Sequence, residues 1–364
     1  MRSDQEPLQR RSYVTRLLVC LAALLAAVLV SPGIGTGCFE RRPEKRIALT
    51  EAWRSLWSPA TDASDSTYTI AFQIRMPQTM LALAAGVTLA LCGAVFQTLF
   101  RNPLAEPYTL GIASGGSLGA LVALRLGLTG TVFLGISWLT LSAFAGACGV
   151  VGLVALLARG SRRLSTNELL LAGVTVGLFC SAMMLAITYF SNARETFEII
   201  RWMMGSLEGF GFRDLTGTLP LLIPAWVVLV AQARALNQYR LGDELAASRG
   251  VNVGRLQVVC VLFCSLATAA IVSICGPIGF TGLVVPHIVR LAVGRDCRIL
   301  LPASALVGGA FLIVCHWISQ LALGWYGELT GRQMGSITLP IGVVTAVIGV
   351  PVFVTLLRLR GTRG

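Results

Sequence analysis

The side chains of this sequence that could do chemistry are few and isolated. His287 and His316 each lie in an apolar segment, where a lone histidine can act as a metal ligand. Cys260 and Cys264 are four residues apart, so on a helix their thiols share one face and could meet a metal ion. No histidine or carboxylate is near that pair in the sequence, and the ten cysteines include no C-x-x-C pair. We therefore interpret the cysteines as small packing residues and predict no metal site.

The acidic side chains are placed away from the apolar segments. A carboxylate at bilayer depth is costly and usually marks an ion pathway, whereas nearly all 17 Asp and Glu residues lie at segment ends or in loops. A proton- or sodium-driven carrier normally keeps such a group near the membrane midplane, although some bind sodium through backbone carbonyls at broken helices. The sequence also lacks a G-x-x-x-x-G-K-[ST] phosphate loop. If ATP drives this protein, a partner must hydrolyse it, and we expect no cofactor on this chain.

The elements that position these residues are apolar segments separated by short polar gaps. Of the 364 residues, 55% are hydrophobic and 13% are charged, against about 25% charged in a soluble domain. Because a helix needs about 20 apolar residues to span a bilayer, the composition predicts an all-α, polytopic membrane protein. Ten spans are predicted, at Leu17–Val30, Gln78–Phe100, Thr109–Leu126, Thr131–Ala158, Leu169–Phe190, Leu215–Ala233, Leu256–Cys275, Leu283–Val293, Leu300–Leu323 and Ile341–Leu357.

The placement of arginine predicts the orientation of these spans. Lys and Arg are retained in cytoplasmic loops, and the arginines alternate in this way if the N-terminus is inside. We therefore predict two cytoplasmic termini: residues 1–16 and 359–364 are tails, and 17–358 form a single transmembrane domain. Within it, 234–255 are a cytoplasmic loop and 38–74 an outer loop. The outer loop fits least well, because it holds five basic residues.

The N-terminal segment and the net charge each allow a second interpretation. Arg10-Arg11 before an apolar run is typical of a twin-arginine signal, but no clean small-x-small site follows Val30, so we predict that span one is retained.

The net charge of +12 could attract nucleic acid. Because the arginines lie in short gaps, without a concentrated basic face or an aromatic RNA-binding motif, we expect no nucleic-acid partner.

Small polar residues supply most of the polarity within the predicted spans. Glycines at Gly111, Gly115, Gly116 and Gly119 would let helices approach closely. Hydroxyl groups such as that of Thr88 fit the same packing role, and the alternative is a weakly polar pore lining.

Seven strings of the sequence occur together in one known family. They are RMPQT (75–79), GAVFQTLFRNPLAEP (93–107), LGIASGG (110–116), WMMG (202–205), GPIGFTGLVVPHIVR (276–290), LPASA (301–305) and LPIGVVTA (339–346). As a set and in this order, they resemble the permease family of ABC importers for ferric siderophores, haem and cobalamin. The resemblance runs from about Arg75 to Leu357, roughly three quarters of the chain. The motif residues that it carries over are Asn102, Pro103, Pro286, His287, Arg290 and Pro340.

The resemblance implies a transporter subunit rather than an enzyme. It implies ten helices in the bacterial cytoplasmic (inner) membrane, a second permease subunit, two cytoplasmic ABC ATPases that bind ATP and Mg, and an extracytoplasmic substrate-binding protein. We expect the permease pair to be a homodimer in the lipid bilayer. The expected function is ATP-driven import of a ferric siderophore, haem or cobalamin-type metal chelate by alternating access. The alternative is an ion-coupled secondary transporter of a bulky solute.

The loop between predicted spans six and seven carries the expected contact with the ATPase. Its sequence from 241 to 253, LGDELAASRGVNV, has an acidic start, an alanine-rich turn and a glycine stop, which predict a short helix. In the resembled family this segment is the coupling helix that docks in a cleft of the ATPase. The alternative is a solvated interfacial helix. The coupling residues carried over are Leu241, Gly242, Asp243, Glu244, Ala246, Ala247, Gly250 and Val251.

Ser165, Thr166 and Asn167 open predicted span five. A hydroxyl at that place can cap a helix N-terminus. In the resembled family the corresponding stretch forms the cytoplasmic constriction of the transport path, so these three residues are gate candidates.

Arginines on the outer side are the expected docking points for the binding protein. The resemblance implies that permease arginines pair with glutamates of that protein, a charge match that steers encounter. Arg75 fits one such position, and Arg332 lies in the long outer loop 324–338. Gln78 and Gln320 stand where the family pattern has arginine. Arg75 has an alternative role as the anchor of a helix end.

The two histidines receive structural interpretations. His287 belongs to the family string whatever the cargo, and for His316 we expect an interhelical hydrogen bond. The sequence does not identify the cargo.

Overall fold

A computed structural model describes residues 5–34, 49–54, 66–128, 137–157, 166–208, 211–330 and 338–361. These residues form helices joined by turns, as the all-α prediction requires. The helices are α1 (Gln5–Val30), α2 (Leu49–Arg54), α3 (Ser66–Tyr68), α4 (Met76–Leu99), α5 (Ile112–Arg125), α6 (Trp138–Leu157), α7 (Thr166–Tyr189), α8 (Ala193–Met203), α9 (Phe212–Ala231), α10 (Ala233–Tyr239), α11 (Asp243–Ser248), α12 (Val253–Cys275), α13 (Thr281–Val293), α14 (Cys297–Thr330) and α15 (Ile341–Gly361).

Each of the ten predicted spans overlaps an apolar helix. In the described residues seven helical stretches are long and apolar enough to cross a membrane: α1, α4 with the turn before it, α6, α7, α9, α12 and α14. Three shorter apolar helices coincide with the remaining predicted spans, at Ile112–Arg125, Thr281–Val293 and Ile341–Thr355. The polytopic helical fold is confirmed, whereas the number of crossings and the cytoplasmic placement of the termini stay predictions.

Helical structure extends beyond several of the predicted boundaries. The end of the predicted outer loop 38–74 is helical, because α3 and a π-helical segment, Thr69–Arg75, lead directly into α4. The N-terminal tail is helical from Gln5, and the stretch predicted as the outer loop 324–338 is helical to Thr330. Apolar runs mark only the part of a helix that lies in hydrocarbon, so polar extensions of the same helix escape them.

The short helix α8 is an element that the apolar pattern did not predict. Asn192 Oδ1 accepts a hydrogen bond from the Glu195 backbone N–H at 2.9 Å, and the Glu195 carboxylate accepts from the Asn192 N–H at 3.3 Å. This reciprocal pair is a capping box, which starts a helix from local sequence alone. Arg125 at the end of α5 pairs with Glu195 at 2.7 Å, so α8 is tied to the α5 end.

Three helices form the centre of the bundle. The apolar stretches of α4, α12 and α14 are 83%, 67% and 61% buried, whereas those of α1, α6, α7 and α9 are 22% to 28% buried. The peripheral helices expose large apolar side chains, including Leu171, Leu178 and Leu185 of α7. Such an outer surface suits contact with lipid and leaves the central helices to be held by packing.

Small residues set the closest approaches between helices. A Cβ placed on Gly93 of α4 would lie 1.9 Å from the carbonyl oxygen of Gly282 on α13, and one on Gly119 of α5 would lie 2.1 Å from that of Ser142 on α6. The glycine string at 111–119 therefore packs helices, as predicted. Thr88 fits the same role, because its hydroxyl donates to the Ala84 carbonyl at 2.7 Å and accepts from the Trp226 indole at 3.0 Å.

Hydrogen bonds and ion pairs show which of the described connections lie at the same end of the bundle. At the end that carries α11, called here the α11 end, Arg101 contacts Asp243 and Asn237 contacts Asp296. At the opposite end, the contacting pairs are Arg75 with Pro32, Arg125 with Glu195 and Ser206 with Cys275. Successive spans therefore run in opposite directions, in the order that the predicted topology needs.

A non-helical segment, 276–280, separates α12 from α13. Phe280 has a φ of +66°, and α13 begins at the next residue, two residues before the predicted span Leu283–Val293. Ile278 is fully buried, and its backbone N–H donates to the Tyr108 hydroxyl at 2.9 Å. Non-helical backbone at membrane depth needs such partners, because hydrocarbon offers none.

Candidate functional site

The predicted coupling segment forms a short helix with a defined stop. In α11 the backbone N–H of Val251 donates to the Ala246 carbonyl at 3.0 Å, and that of Gly250 donates to the Ala247 carbonyl at 2.9 Å. This is the Schellman arrangement, which places a left-handed residue just after the helix. Gly250 occupies that position with a φ of +84°. Local sequence therefore determines where this helix ends.

One face of α11 packs against the bundle and the other is exposed. Ala246 is fully buried, whereas Leu245 is 52% exposed and Leu241, in the preceding turn, is 58% exposed. Glu244 and Ala247 are also exposed, while Asp243, Gly242 and Val251 are partly buried. Two leucines exposed on a segment between charged residues form an apolar surface suited to a protein partner.

Arg101 links α11 to the end of α4. Its Nη2 atom donates to Asp243 Oδ1 at 2.5 Å and to the Tyr239 carbonyl oxygen at 2.6 Å. The guanidinium carbon also lies 4.5 Å from the centre of the Tyr239 ring, which is cation–π geometry. Arg101 has a φ of +50°, an uncommon conformation for a residue with a Cβ. The α4–α5 connection and the coupling segment are therefore in direct contact.

A second link joins α10 to the start of α14. Asn237 donates to Asp296 Oδ1 at 2.7 Å and accepts from the Cys297 backbone N–H at 2.9 Å. Burial raises the pKa of Asp296, but hydrogen bonds from Arg298 and Asn237 outweigh that effect and hold this pKa below its ordinary value. Asp296 is therefore a carboxylate at neutral pH and holds this junction as a charged acceptor.

The motif residues Asn102 and Pro103 lie in the α4–α5 connection next to Arg101. Asn102 Oδ1 accepts from the Leu104 backbone N–H at 2.9 Å, which fixes the turn. Further along, Glu106 is largely buried, and its Oε2 atom has no hydrogen-bond partner among the described residues. Burial raises the pKa of Glu106 to about 7.

The motif residues of α13 pack between α4 and α15. Arg290 Nη2 donates to Gln97 Oε1 on α4 at 3.0 Å, and the Gln97 amide donates to the Leu283 carbonyl at 3.1 Å. Pro286 and His287 are buried, and the His287 ring meets Phe353 of α15 edge to face with the ring centres 6.5 Å apart. These residues hold helices together, which fits the structural interpretation of His287.

Pro340 lies at the opposite end, directly before α15. The Pro340 carbonyl accepts from the Val343 backbone N–H at 3.1 Å. The backbone N–H of Ile341 donates to the Gly205 carbonyl at 3.2 Å, and that of Gly342 donates to the Met204 carbonyl at 3.1 Å. The LPIGVVTA and WMMG strings are therefore in contact.

The gate candidates lie mostly outside the described part of the protein. Ser165 falls in the undescribed segment 158–165, and Thr166 and Asn167 are placed only as the first backbone turn of α7. The gate role stays a prediction.

Arg75 and the two glutamines at the expected docking positions are buried at the opposite end. Arg75 is 6% exposed, and its Nη1 atom donates to the Pro32 carbonyl at 2.9 Å. The Gln320 amide donates to Gln78 Oε1 at 3.2 Å and lies 3.0 Å from His316 Nε2. The hydrogen bond of His316 is therefore within α14 and not, as was predicted, between helices. Gln320 makes the interhelical hydrogen bond, to Gln78 of α4. The geometry of Arg75 fits the helix-anchor alternative, and Arg332 lies outside the described residues.

Sequence reasoning did not single out Arg101, Tyr239 or Asn237 as site residues. Arg101 and Asp243 are 142 positions apart, so no local spacing connects them. Arg101 does lie inside the GAVFQTLFRNPLAEP string, and that position was the available signal.

Comparison with known proteins identifies the family of this chain. The model of the FecCD transport family matches residues 43–359. This chain belongs to the FecCD transport family. It is 39% identical over 293 residues to the cobalamin import system permease protein BtuC of Halobacterium salinarum, covering 80% of this chain and 73% of that protein. It is 36% identical over 355 residues to the vitamin B12 import system permease protein BtuC of Escherichia coli O139:H28, covering 97% of this chain and 98% of that protein.

Solved structures agree with the FecCD assignment. The fold matches an inward-facing putative metal-chelate type ABC transporter with a TM-score of 0.76 and 27% identity, covering 94% of this chain and 98% of that one. A FecCD member of this kind is a multi-pass permease subunit of an ABC importer in the cytoplasmic membrane, and it is not itself an enzyme. The ATPase belongs to separate subunits, and a binding protein and a second permease complete such an importer. The ion-coupled alternative is thereby set aside.

Proposed function

We propose that this permease imports a cobalamin-type metal chelate and that α11 is the element through which the ATPase drives it. The substrate class is supported by the relatives named for cobalamin or vitamin B12, which are 36% to 39% identical to this chain.

The observation that carries the coupling proposal is the exposed face of α11. Leu241 and Leu245 are each more than half exposed at an end of the bundle that is otherwise rich in charge. Exposed apolar groups of this kind are stabilised when a partner covers them. We infer that the cytoplasmic ATPase is the partner that covers this face, and on that assignment the α11 end and both termini face the inside of the cell.

Movement of the ATPase can reach the transmembrane helices through two contacts. The Arg101 contact connects α11 to α4, and the Asn237 contact connects α10 to α14. Both target helices are central and buried, so a displacement at α11 acts on the middle of the bundle. Alternating access then follows from a shift of these helices relative to the peripheral ones.

Replacing Leu245 by glutamate tests the docking role. Because a carboxylate on this face is not readily covered by an apolar cleft, we expect the Leu245→Glu variant to lose copurification of the ATPase and uptake together. Arg234→Gln is the matched control, since it makes the same change in net charge at an exposed position on α10. Unchanged ATPase recovery and uptake in Leu245→Glu would overturn the coupling assignment.

Substrate choice is tested by reconstitution. The purified importer, with its own ATPase and binding protein in proteoliposomes, is offered labelled cyanocobalamin, a ferric hydroxamate and haem in parallel. We expect ATP-dependent uptake of cyanocobalamin only. Uptake of one of the other two chelates, with none of cyanocobalamin, would reject the substrate while leaving the coupling assignment intact.

A further inference from the structure

A cavity of about 300 Å³ opens at the α11 end, between α4, α10, α13 and the start of α14. Four of its lining residues are arginines: Arg101, Arg240, Arg290 and Arg295. None of the other residues that line it is acidic. The coupling proposal does not use this cavity, and only Arg101 belongs to both features.

The tertiary structure holds the side chains of three of these arginines in place. Arg240 at the end of α10 donates to the Arg295 carbonyl, which joins two of the four segments. Arg290 at the end of α13 donates to Gln97, and Arg101 donates to the Tyr239 carbonyl. Because the four arginines come from three separate parts of the sequence, with only Arg290 and Arg295 close together, their meeting around this cavity is a property of the fold.

The two nearby carboxylates differ in their contact with the cavity lining. Asp243 pairs with Arg101 and offsets one of the four charges. Asp296 pairs with Arg298 at 3.1 Å and accepts from Asn237, and neither of those partners lines the cavity. Like charges collected in one cavity repel each other, so an anion that contacts several of them is stabilised.

The chemistry of the lining residues points to one class of anion. Guanidinium groups bind phosphate oxygens through paired N–H donors, and several arginines around one anion favour phosphate over a singly charged halide. Gln97 and Thr98 add polar atoms, while Leu300 and Pro103 can accept the carbon substituent of a phosphate ester. We propose that this cavity binds a phosphate-class anion, supplied either by an anionic phospholipid headgroup or by free phosphate. Basic pockets between helices at a membrane surface are known to take lipid headgroups.

The test uses the full chain in nanodiscs of phosphatidylcholine, with or without phosphatidylglycerol. The unfolding midpoint is followed by tryptophan fluorescence during titration with sodium phosphate, against sodium chloride of equal ionic strength. The cavity variants are Arg295→Gln and the double change Arg240→Gln with Arg295→Gln. The control, Arg234→Gln with Arg255→Gln, removes the same number of charges as the double change from exposed positions that do not line the cavity.

We expect the anion to raise the unfolding midpoint of the wild type and of the control. In the cavity variants the apparent affinity for the anion should be about tenfold weaker, which is the scale of one charge-assisted contact. A response to sodium phosphate without phosphatidylglycerol identifies free phosphate as a ligand. Stabilisation by phosphatidylglycerol alone, with the lipid retained in native mass spectra, identifies the headgroup. Absence of both responses, or equal responses in cavity and control variants, overturns the proposal. Loss of ATPase binding in the cavity variants without any anion response would assign the cavity to a protein contact instead.

Discussion

Arg101 Nη2 lies 2.5 Å from Asp243 Oδ1, and this ion pair joins the end of α4 to the first residue of α11. The two residues belong to different proposed roles, one beside the motif pair Asn102 and Pro103 and the other in the coupling segment. The ion pair connects the α4–α5 connection directly to α11. A force applied to α11 therefore reaches the α4–α5 connection without passing through the length of a helix.

Removal of this ion pair is expected to reduce uptake while the ATPase still binds. Arg101→Ala and Asp243→Ala, alone and together, form a double-mutant cycle on the unfolding free energy. We expect a coupling energy of about 0.5 to 1 kcal/mol, because both side chains are partly exposed. The exposed pair Arg194 and Glu198 on α8 is the control, and its coupling should be near zero. Full uptake in the Arg101→Ala variant would contradict the mechanical role.

Gly93 is expected to tolerate no side chain. A Cβ there would lie 1.9 Å from the Gly282 carbonyl oxygen, so Gly93→Ala must force α4 and α13 apart. Overpacking of this kind costs about 1 to 3 kcal/mol or more, and thermal unfolding in detergent measures it. Gly149→Ala on α6 is the matched control, because no atom lies within 4 Å of its added Cβ. A Gly93→Ala protein as stable as the control would show that the two helices are not in the described contact.

Glu106 is expected to make stability depend on pH. Burial raises the pKa of its carboxyl from 4.5 to about 7, so the folded state holds this proton more tightly than the unfolded state does. The contribution of Glu106 is therefore most favourable below about pH 4.5 and is lost as the pH rises towards 7. Glu106→Gln should remove this dependence, measured as unfolding midpoints across that range. The same pH profile in wild type and variant would rule out a buried, protonated Glu106.

Arg75 is expected to stabilise the junction between α1 and α4. Arg75→Gln removes the donor to the Pro32 carbonyl from a buried site, so the unfolding midpoint should fall. Arg213→Gln, at an exposed position at the start of α9, controls for the loss of charge. An unchanged midpoint combined with weaker affinity for the binding protein, measured by surface plasmon resonance, would instead support the docking role.

The sequence predicted what depends on local pattern. Each of the ten apolar runs coincides with an apolar helix, and the acidic start and glycine stop predicted α11 with Gly250 just after its end. The helix α8 carries charged residues and no long apolar run, so apolar pattern does not reveal it. Its local signal is the capping box of Asn192 and Glu195, which the sequence contains.

Relationships between distant residues could not be predicted in this way. The pairing of Arg101 with Asp243, the meeting of Gln78 with Gln320, and the arginine cavity each depend on which helices pack together. One sequence without packing information contains no signal for such contacts.

The meeting of Phe280 and Gly349 limits how α15 can move. A Cβ on Gly349 would lie 2.6 Å from the Phe280 Cβ, so the bare backbone of α15 rests against a residue whose own backbone is left-handed. Rotation of α15 about its axis would bring the side chain of Ile348 or Val350 into that space. Sliding by one helical turn, about 5.4 Å, would bring Thr345 or Phe353 to the same place. The contact therefore fits α15 in one register only, and we expect α15 to move together with the start of α13.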